Sequence, residues 1–162
     1  MTSYIWRPAT GQDVTAIVAL ANDYFKTEIN NIFTIDTIAG SRNVTMAVVN
    51  QFYNPNTELL YVAEDSSNNI VAYVWAKSAQ RAVWSDENMV CINMAHASLD
   101  ISVKNRIRLV QDMIKLWEQF AVKSNAQIIC STTMRNDQSA FLKIHQRAGY
   151  DVRGSYAYKR LF

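Results

Sequence analysis

Glycine and proline are scarce in this chain, four and two of 162 residues. Collagen-like, low-complexity and loop-rich architectures need more of both, so most of the sequence has to lie in helices and strands. Cysteine is scarce too. Cys91 and Cys130 are the two present, with no C-x-x-C spacing, which leaves neither a metal-ligand pattern nor a disulfide framework. Their apolar neighbours place them on buried strands as reduced thiols. Charge of one sign is also missing: 16 Lys and Arg against 14 Asp and Glu give +2. Without a long basic run there is no broad electrostatic footprint for nucleic acid. No apolar run approaches the ~20 residues of a membrane span, and Met1 to Arg7 has no signal-peptide core. Together these absences point to a soluble chain in a reducing compartment such as the cytoplasm, and make the Asn43-Val44-Thr45 sequon a chance match. What is present is 49% hydrophobic residues, enough to bury the core of one domain over 1–162.

Tyr4 to Arg7 is an aromatic and β-branched run that Pro8 stops, the pattern of a strand near a sheet edge. Thr10 with Asp13 three residues on has the form of a capping box. Val14, Ile17, Val18, Ala21 and Phe25 then recur at helical spacing. Lys26 to Arg42 has no period and reads as a broken helix and loop. A second helix is predicted from about Asn43 through Phe52, capped by Asn43 and ended by Asn54-Pro55-Asn56. Leu59 to Ala63 and Ile70 to Ala76 are apolar runs joined by a polar turn, a β-hairpin. After the polar break Arg81 to Asn88, Met89 to Ile101 continues the meander.

The longest helix follows, capped by Asp100 or Ser102, with Val103, Ile107, Val110, Ile114, Trp117 and Ala121 as one stripe. Gln127 to Thr132 is a short apolar strand of the kind covered on both faces. Asn136 then caps a helix with Ala140, Phe141, Ile144 and Ala148 inward, and Gly149 ends it in a left-handed conformation. Val152 to Phe162 alternates as a last strand. The order is β-α-α-β-β-β-α-β-α-β. The fold class is α/β (α+β): a mixed, mostly antiparallel sheet flanked by helices on both faces.

This order resembles the GNAT superfamily of acyl-CoA-dependent N-acyltransferases over nearly the whole chain. Ile5-Trp6-Arg7-Pro8-Ala9-Thr10 with Asp13-Val14 is similar to the family's "I-R-x-A-T…D" entry. Asn136 to Phe141 and Ala148-Gly149-Tyr150 are similar to its "N-x-x-A…Y-x-x-x-G-F" segment. The resemblance implies an acetyl-CoA site whose diphosphate lies on backbone N–H groups at a helix N-terminus, in an Arg/Gln-x-x-Gly-x-Gly/Ala loop. Here that loop departs from the pattern. Asn105, Arg108 and Val110 stand where the motif's Arg/Gln and two glycines belong, and no glycine lies between Gly40 and Gly149. A branched Val110 is the worst fit for a close phosphate. Lys104, Arg106 and Arg108 crowd the helix start instead. They either bind diphosphate through their side chains or form a solvated basic face.

Acyl transfer to an amine needs a deprotonated amine, a polarised thioester oxygen and a proton for the leaving thiolate. The family's Tyr for that last task is matched here by His145, either an acid or a surface histidine one turn after Phe141. His96, among Met94, Ala95 and Ala97, is either a general base beside the acyl group or a hydrogen-bonded core residue. Glu64, with Asp65, is a weaker base candidate that also suits an exposed turn. Asn136 is expected to cap its helix, and the resemblance also turns it toward the pantetheine arm. Tyr156 and Tyr158 pack or line a cleft. No residue set implies a metal.

Two functions follow. One is an N-acetyltransferase taking its acyl group from acetyl-CoA to an unidentified small-molecule or protein amine, the acceptor being chosen by the loops Lys26 to Arg42 and Arg81 to Asn88. The other is a silent module of the same fold, with protein partners in a larger assembly such as a phage virion; the missing glycines favour it. Nucleic-acid binding would rest on Lys104 to Arg108 alone.

Overall fold

The computed structural model describes residues 4–29, 33–81, 83–135, 138–154 and 159. Five strands lie side by side in chain order: β1 (Ile5–Pro8), β2 (Glu58–Glu64), β3 (Ile70–Arg81), β4 (Asn88–Ala97) and β5 (Ile128–Ser131). The pairs from β1 to β4 are antiparallel, and β5 joins β4 in parallel. Helices α1 (Val14–Glu28) and α2 (Thr37–Tyr53) cover one face; α3 (Val103–Lys123) and α4 (Ser139–Arg147) cover the other. The β-α-α-β-β-β-α-β-α order read from the sequence is therefore the order observed. The expected last strand falls largely outside the described residues, and 152–154 form no regular element.

The alternation of β3 shows why the sheet is two-sided. Ala72, Val74 and Ala76 join the core under α3, whereas Tyr73 and Trp75 pack toward α1 and α2. Under α3 the core is built by Leu109, Met113, Trp117 and Phe120, each contributing about 1.5–3 kcal/mol by burial. The expected stripe is partly displaced: Ile114, Trp117 and Ala121 are buried, but Val103 is 61% exposed and Ile107 41%. Val103 stays open to solvent, and Ile107 borders a depression shared with Ile144 of α4.

At the chain start, the Asp13 carboxylate accepts from the Thr10 N–H (2.7 Å) and hydroxyl (3.0 Å) in a 3-10 turn that leads into α1. Arg7 donates to Asp13 through both terminal nitrogens (2.7 and 2.8 Å) and to Glu64 through Nε (2.9 Å), tying β1, α1 and β2 together. The Arg7 hydrogen bonds, with those from Thr10, hold the Asp13 carboxyl below its usual range, against the opposing effect of burial.

Three boundaries and one burial pattern correct the sequence reading. α2 begins at Thr37, not Asn43, because Asp36 caps it by accepting from Ile38 and Ala39 N–H (2.9 and 3.0 Å), and Asn43 lies inside the helix. β4 stops at Ala97, where Ser98 N–H bonds Val71, rather than running to Ile101. β5 is not covered on both faces: Ile128 is exposed, and the other three residues are half-buried. α4 starts at Ser139 with Gln138 as N-cap; the expected cap Asn136 lies outside the described residues, as do Tyr156 and Tyr158. In α4, Ala140 and Ala148 are exposed, and Phe141 and His145 face inward.

Gly149 meets its expectation at φ +90°. Tyr150 N–H bonds His145 C=O and Gly149 N–H bonds Gln146 C=O, the two bonds of a Schellman motif.

Candidate active site

β4 carries the feature that shapes the site. Trp75 lies opposite Met94 and Ala76 opposite Ile92, so Asn93 has no partner on β3 and forms a β-bulge. The β4–β5 ladder ends at the same level, with Ile92 against Ser131, and β4 runs on for five residues to Ala97. The strands part there. The space between them is about 40 Å³, bordered by Tyr24, Asn93, Met94, Thr133, Arg135 and Phe141. Arg135 crosses it, paired with Glu28 at 3.1 Å and lying 5.2 Å from the Tyr24 ring centre.

Past the bulge the side chains exchange faces. Val90 and Ile92 point under α3, but Met94 and His96 point toward α1. His96 is 1% exposed, 4.5 Å from the Tyr24 ring and 6.3 Å from the Tyr73 ring between centres, and its Nδ1 has no hydrogen-bond partner. Burial, with Arg135 and Arg106 nearby, pushes its pKa down to about 3, so it is neutral at pH 7. The Tyr73 hydroxyl is likewise buried and unpaired, and burial raises its pKa so that it stays a phenol.

Beyond β4, the chain turns through Ser98–Ser102 into α3. Ser102 caps it: Oγ accepts from Asn105 N–H at 3.4 Å, and the carbonyl accepts from Arg106 N–H at 3.0 Å. The earliest amides of α3 have no intrahelical acceptor, as in any helix. Lys104 and Arg106 stand on this first turn, with Arg108 following. Val110 does not. It lies seven residues into the helix, so the loop alignment that made it an obstruction to phosphate is corrected: the residues at the helix mouth are Ser102 to Arg106.

The remaining candidates lie elsewhere. Glu64 belongs to the Arg7 and Asp13 cluster, two strands from β4. His145 is not a surface residue; it is 3% exposed, stacked on Trp117 (5.7 Å) and against Phe141 (4.2 Å) and Tyr150 (5.2 Å). Its Nδ1 bonds the Phe141 carbonyl at 2.9 Å, which can only accept, so Nε2 is the bare nitrogen and receives the Ser131 hydroxyl at 3.0 Å. Burial holds its pKa below the ordinary value. The Tyr150 hydroxyl accepts from Trp117 Nε1 (2.8 Å), donates to Glu118 (3.3 Å), and has its pKa pushed up to about 12, chiefly by burial.

Sequence reasoning missed Asn93, Arg135, Tyr73 and Ser131. Only Ser131 had a signal, a polar residue ending an apolar strand run. A depression of about 740 Å³ between the ends of α2 and α3 lies on the β1–β2 side of the sheet, away from β4 and β5. Glu58 in its wall is engaged by Trp75 and Lys77. Among the described residues no cluster is placed to hold a metal ion, and no helix is long and apolar enough to cross a membrane.

A parallel pair that opens at a bulge in β4 beside the mouth of the next helix defines the class: the chain has the fold of the GNAT N-acetyltransferases. Among solved structures it is similar to aminoglycoside N-acetyltransferase AAC(6')-Iy in complex with CoA (TM-score 0.72, 9% identity, 99% of this chain and 95% of that one). It is also similar to aminoglycoside 6'-N-acetyltransferase AAC(6')-Ih from Acinetobacter baumannii (TM-score 0.69, 12% identity, 99% and 100%). A third is glucosamine-6-phosphate N-acetyltransferase from Arabidopsis thaliana (TM-score 0.70, 10% identity, 99% of each chain). No protein-family model matches the sequence, and no curated protein matches it either.

Proposed function

We propose that the chain transfers an acyl group from a coenzyme A thioester, in the simplest case acetyl-CoA, to the nitrogen of an amine. The observation that carries this reading is the parting of β4 from β5 at Asn93, beside the mouth of α3. A strand edge freed from its neighbour offers backbone groups to a carbonyl oxygen, and a helix N-terminus offers amides to an anion. The thioester supplies an activated carbonyl carbon; the protein holds, orients and keeps water away.

Lys104 and Arg106 would take the diphosphate together with the first amides of α3, and Arg108 adds positive charge one position beyond. Bare glycine is not needed where two cations reach the same anion. The arm of the donor needs the space that Arg135 now crosses, so Arg135 leaves Glu28 on binding, which costs on the order of 1 kcal/mol for a part-exposed pair. His96, neutral and with Nδ1 unpaired, serves as a hydrogen-bond partner for the reacting groups. Glu64 keeps its place under Arg7. His145, neutral and with Nε2 accepting from Ser131, has no proton on that nitrogen to give; its part is to orient the Ser131 hydroxyl. The role that the resemblance gives Asn136 on the pantetheine arm is part of the same proposal.

A thermal-shift titration with coenzyme A tests this reading before any acceptor is known. A ligand at 100 times its Kd stabilises the fold by ~2.7 kcal/mol. Saturable stabilisation in the micromolar range, weakened at least tenfold in the double variant Lys104→Ala, Arg106→Ala, is the expected result. No shift at millimolar coenzyme A would overturn it and leave a structural or protein-interaction module.

A further inference from the structure

A second cavity, of about 430 Å³, lies between α1, α2 and the sheet face that carries Tyr73 and Trp75. Its volume is within the ~300–1,000 Å³ of small-molecule sites. The walls are mostly apolar, with Ile17, Ala21 and Phe25 from α1 and Trp75 and Met94 from the sheet, and carry Asn22 and Asn43 as neutral polar groups. Met94 also borders the space between β4 and β5, next to the bulged Asn93. A group seated in the cavity with one end at Met94 therefore meets the point at which the strands part.

The charge of this cavity is as informative as its shape. Among its lining residues the sole carboxylate is Asp36, and one oxygen of that group is committed to capping α2. A polycation would leave its other ammonium groups without a counter-charge against a mostly apolar wall. A single amine on an apolar body has no such difficulty. Transfer from water into this cavity lowers the amine's pKa, because desolvation disfavours the ammonium form. That leaves the lone pair needed for attack. Tyr73 lines the cavity as well, with its hydroxyl buried and without a partner.

We infer that the acceptor is a small primary amine carrying one apolar or aromatic group, and that this cavity is its binding site. The inference rests on the acyl-transfer reading for the word acceptor, but the cavity and its chemistry stand without it. The step it implies is balanced: the amine nitrogen forms a bond to the acyl carbon as the carbon–sulfur bond breaks. The amine loses one proton and the thiolate gains one, giving an amide and a free thiol.

Gly40 supplies the test. It lines the cavity from α2, and a Cβ placed there meets Val18 at 3.8 and 3.9 Å, ordinary contact distances. The first carbon of a side chain at Gly40 is therefore accommodated, and Gly40→Leu adds bulk where the glycine lines the cavity while replacing it by a better helix former. Ala21→Leu narrows it from α1. Binding of 2-phenylethylamine, hexylamine, spermine and glucosamine is measured by calorimetry on the whole chain, with coenzyme A titrated separately by thermal shift. Thiol release from acetyl-CoA is followed for each amine.

The expected result is saturable binding of 2-phenylethylamine and hexylamine at least tenfold tighter than of spermine or glucosamine. In both variants that binding falls at least tenfold, while the coenzyme A shift is unchanged. Tighter binding of spermine or glucosamine, or apolar-amine binding indifferent to both variants, would overturn the inference. If 2-phenylethylamine binds and the variants weaken it, yet coenzyme A gives no shift, the acyl-transfer reading fails and the amine site stands. If coenzyme A binds and no apolar amine does, the reverse holds.

Discussion

Acid should weaken this fold through His96 before it reaches any carboxylate. The imidazole is ordinary in the unfolded chain, near 6.5, and is pushed down to about 3 in the folded one by burial and by Arg135 and Arg106. As pH falls through 6.5 the unfolded chain takes the proton first, so its free energy drops and the folded state loses ground. Between pH 7 and pH 5 the loss from this one group works out at about 2 kcal/mol, and it stops growing only near the folded pKa. The groups that face His96 are Tyr24, Tyr73 and Arg135, with Arg106 adding positive charge; none is an acid able to stabilise the imidazolium. Asp13, whose pKa is lowered chiefly by Arg7, contributes in a separate window, as pH falls below 3.8. The chain has two histidines, and His145 is also held neutral by burial, so it adds to the same slope. Urea unfolding at intervals from pH 7 to pH 5 measures the slope. In His96→Gln it should fall by about 2 kcal/mol over that range, leaving the part due to His145. Parallel curves for His96→Gln and the parent chain would refute the reasoning.

Arg7→Met removes the hydrogen bonds that join β1, α1 and β2 and leaves the buried Asp13 carboxylate with Thr10 but without its counter-charge, so a loss of about 2 kcal/mol is expected by urea unfolding. Gly149→Ala puts a Cβ at φ +90° and should cost about 1–2 kcal/mol, with Gly149→Asn nearer the parent. Cys91 and Cys130 are partners in the β4–β5 register, and neighbouring strands are ~4.8 Å apart, inside the range that a disulfide spans. Diamide, an oxidant that takes up the two hydrogens, should therefore link them within one chain, detected by peptide mapping; persistence of both free thiols would exclude the pairing.

Much of the order of elements was legible because each carries its own local signal. The hairpin shows in two apolar runs around a polar turn, and α4 ends where Gly149 permits a left-handed exit. Boundaries fixed by a single side chain were harder. Asp36 begins α2 in a stretch without hydrophobic period, so the helix looked to start six residues later than it does. Asn43, a sound capping residue by type, sits mid-helix. The start of α3 misled in the opposite way, since Val103 and Ile107 keep helical spacing but remain exposed.

The site was less legible for a geometric reason. In an unbroken strand Val90, Ile92, Met94 and His96 would share one face, and the sequence contains nothing to say otherwise. The candidate list thus held His96 and His145 together, while the fold puts them on opposite sides of the sheet, one against Tyr24 and the other against Trp117. Arg135 and Tyr73 could be found only by knowing which loop crosses the gap and which ring lies behind it.

The extra residue in β4 has an implication for how such a chain can change. At position 93 the identity of the side chain is free to drift, but the residue count is not. Deleting one residue there would close β4 into a regular ladder, with Met94 and His96 still opposite Trp75 and Tyr73, and would take away the bend at which it parts from β5. Length, at this one place, is inherited more strictly than chemistry.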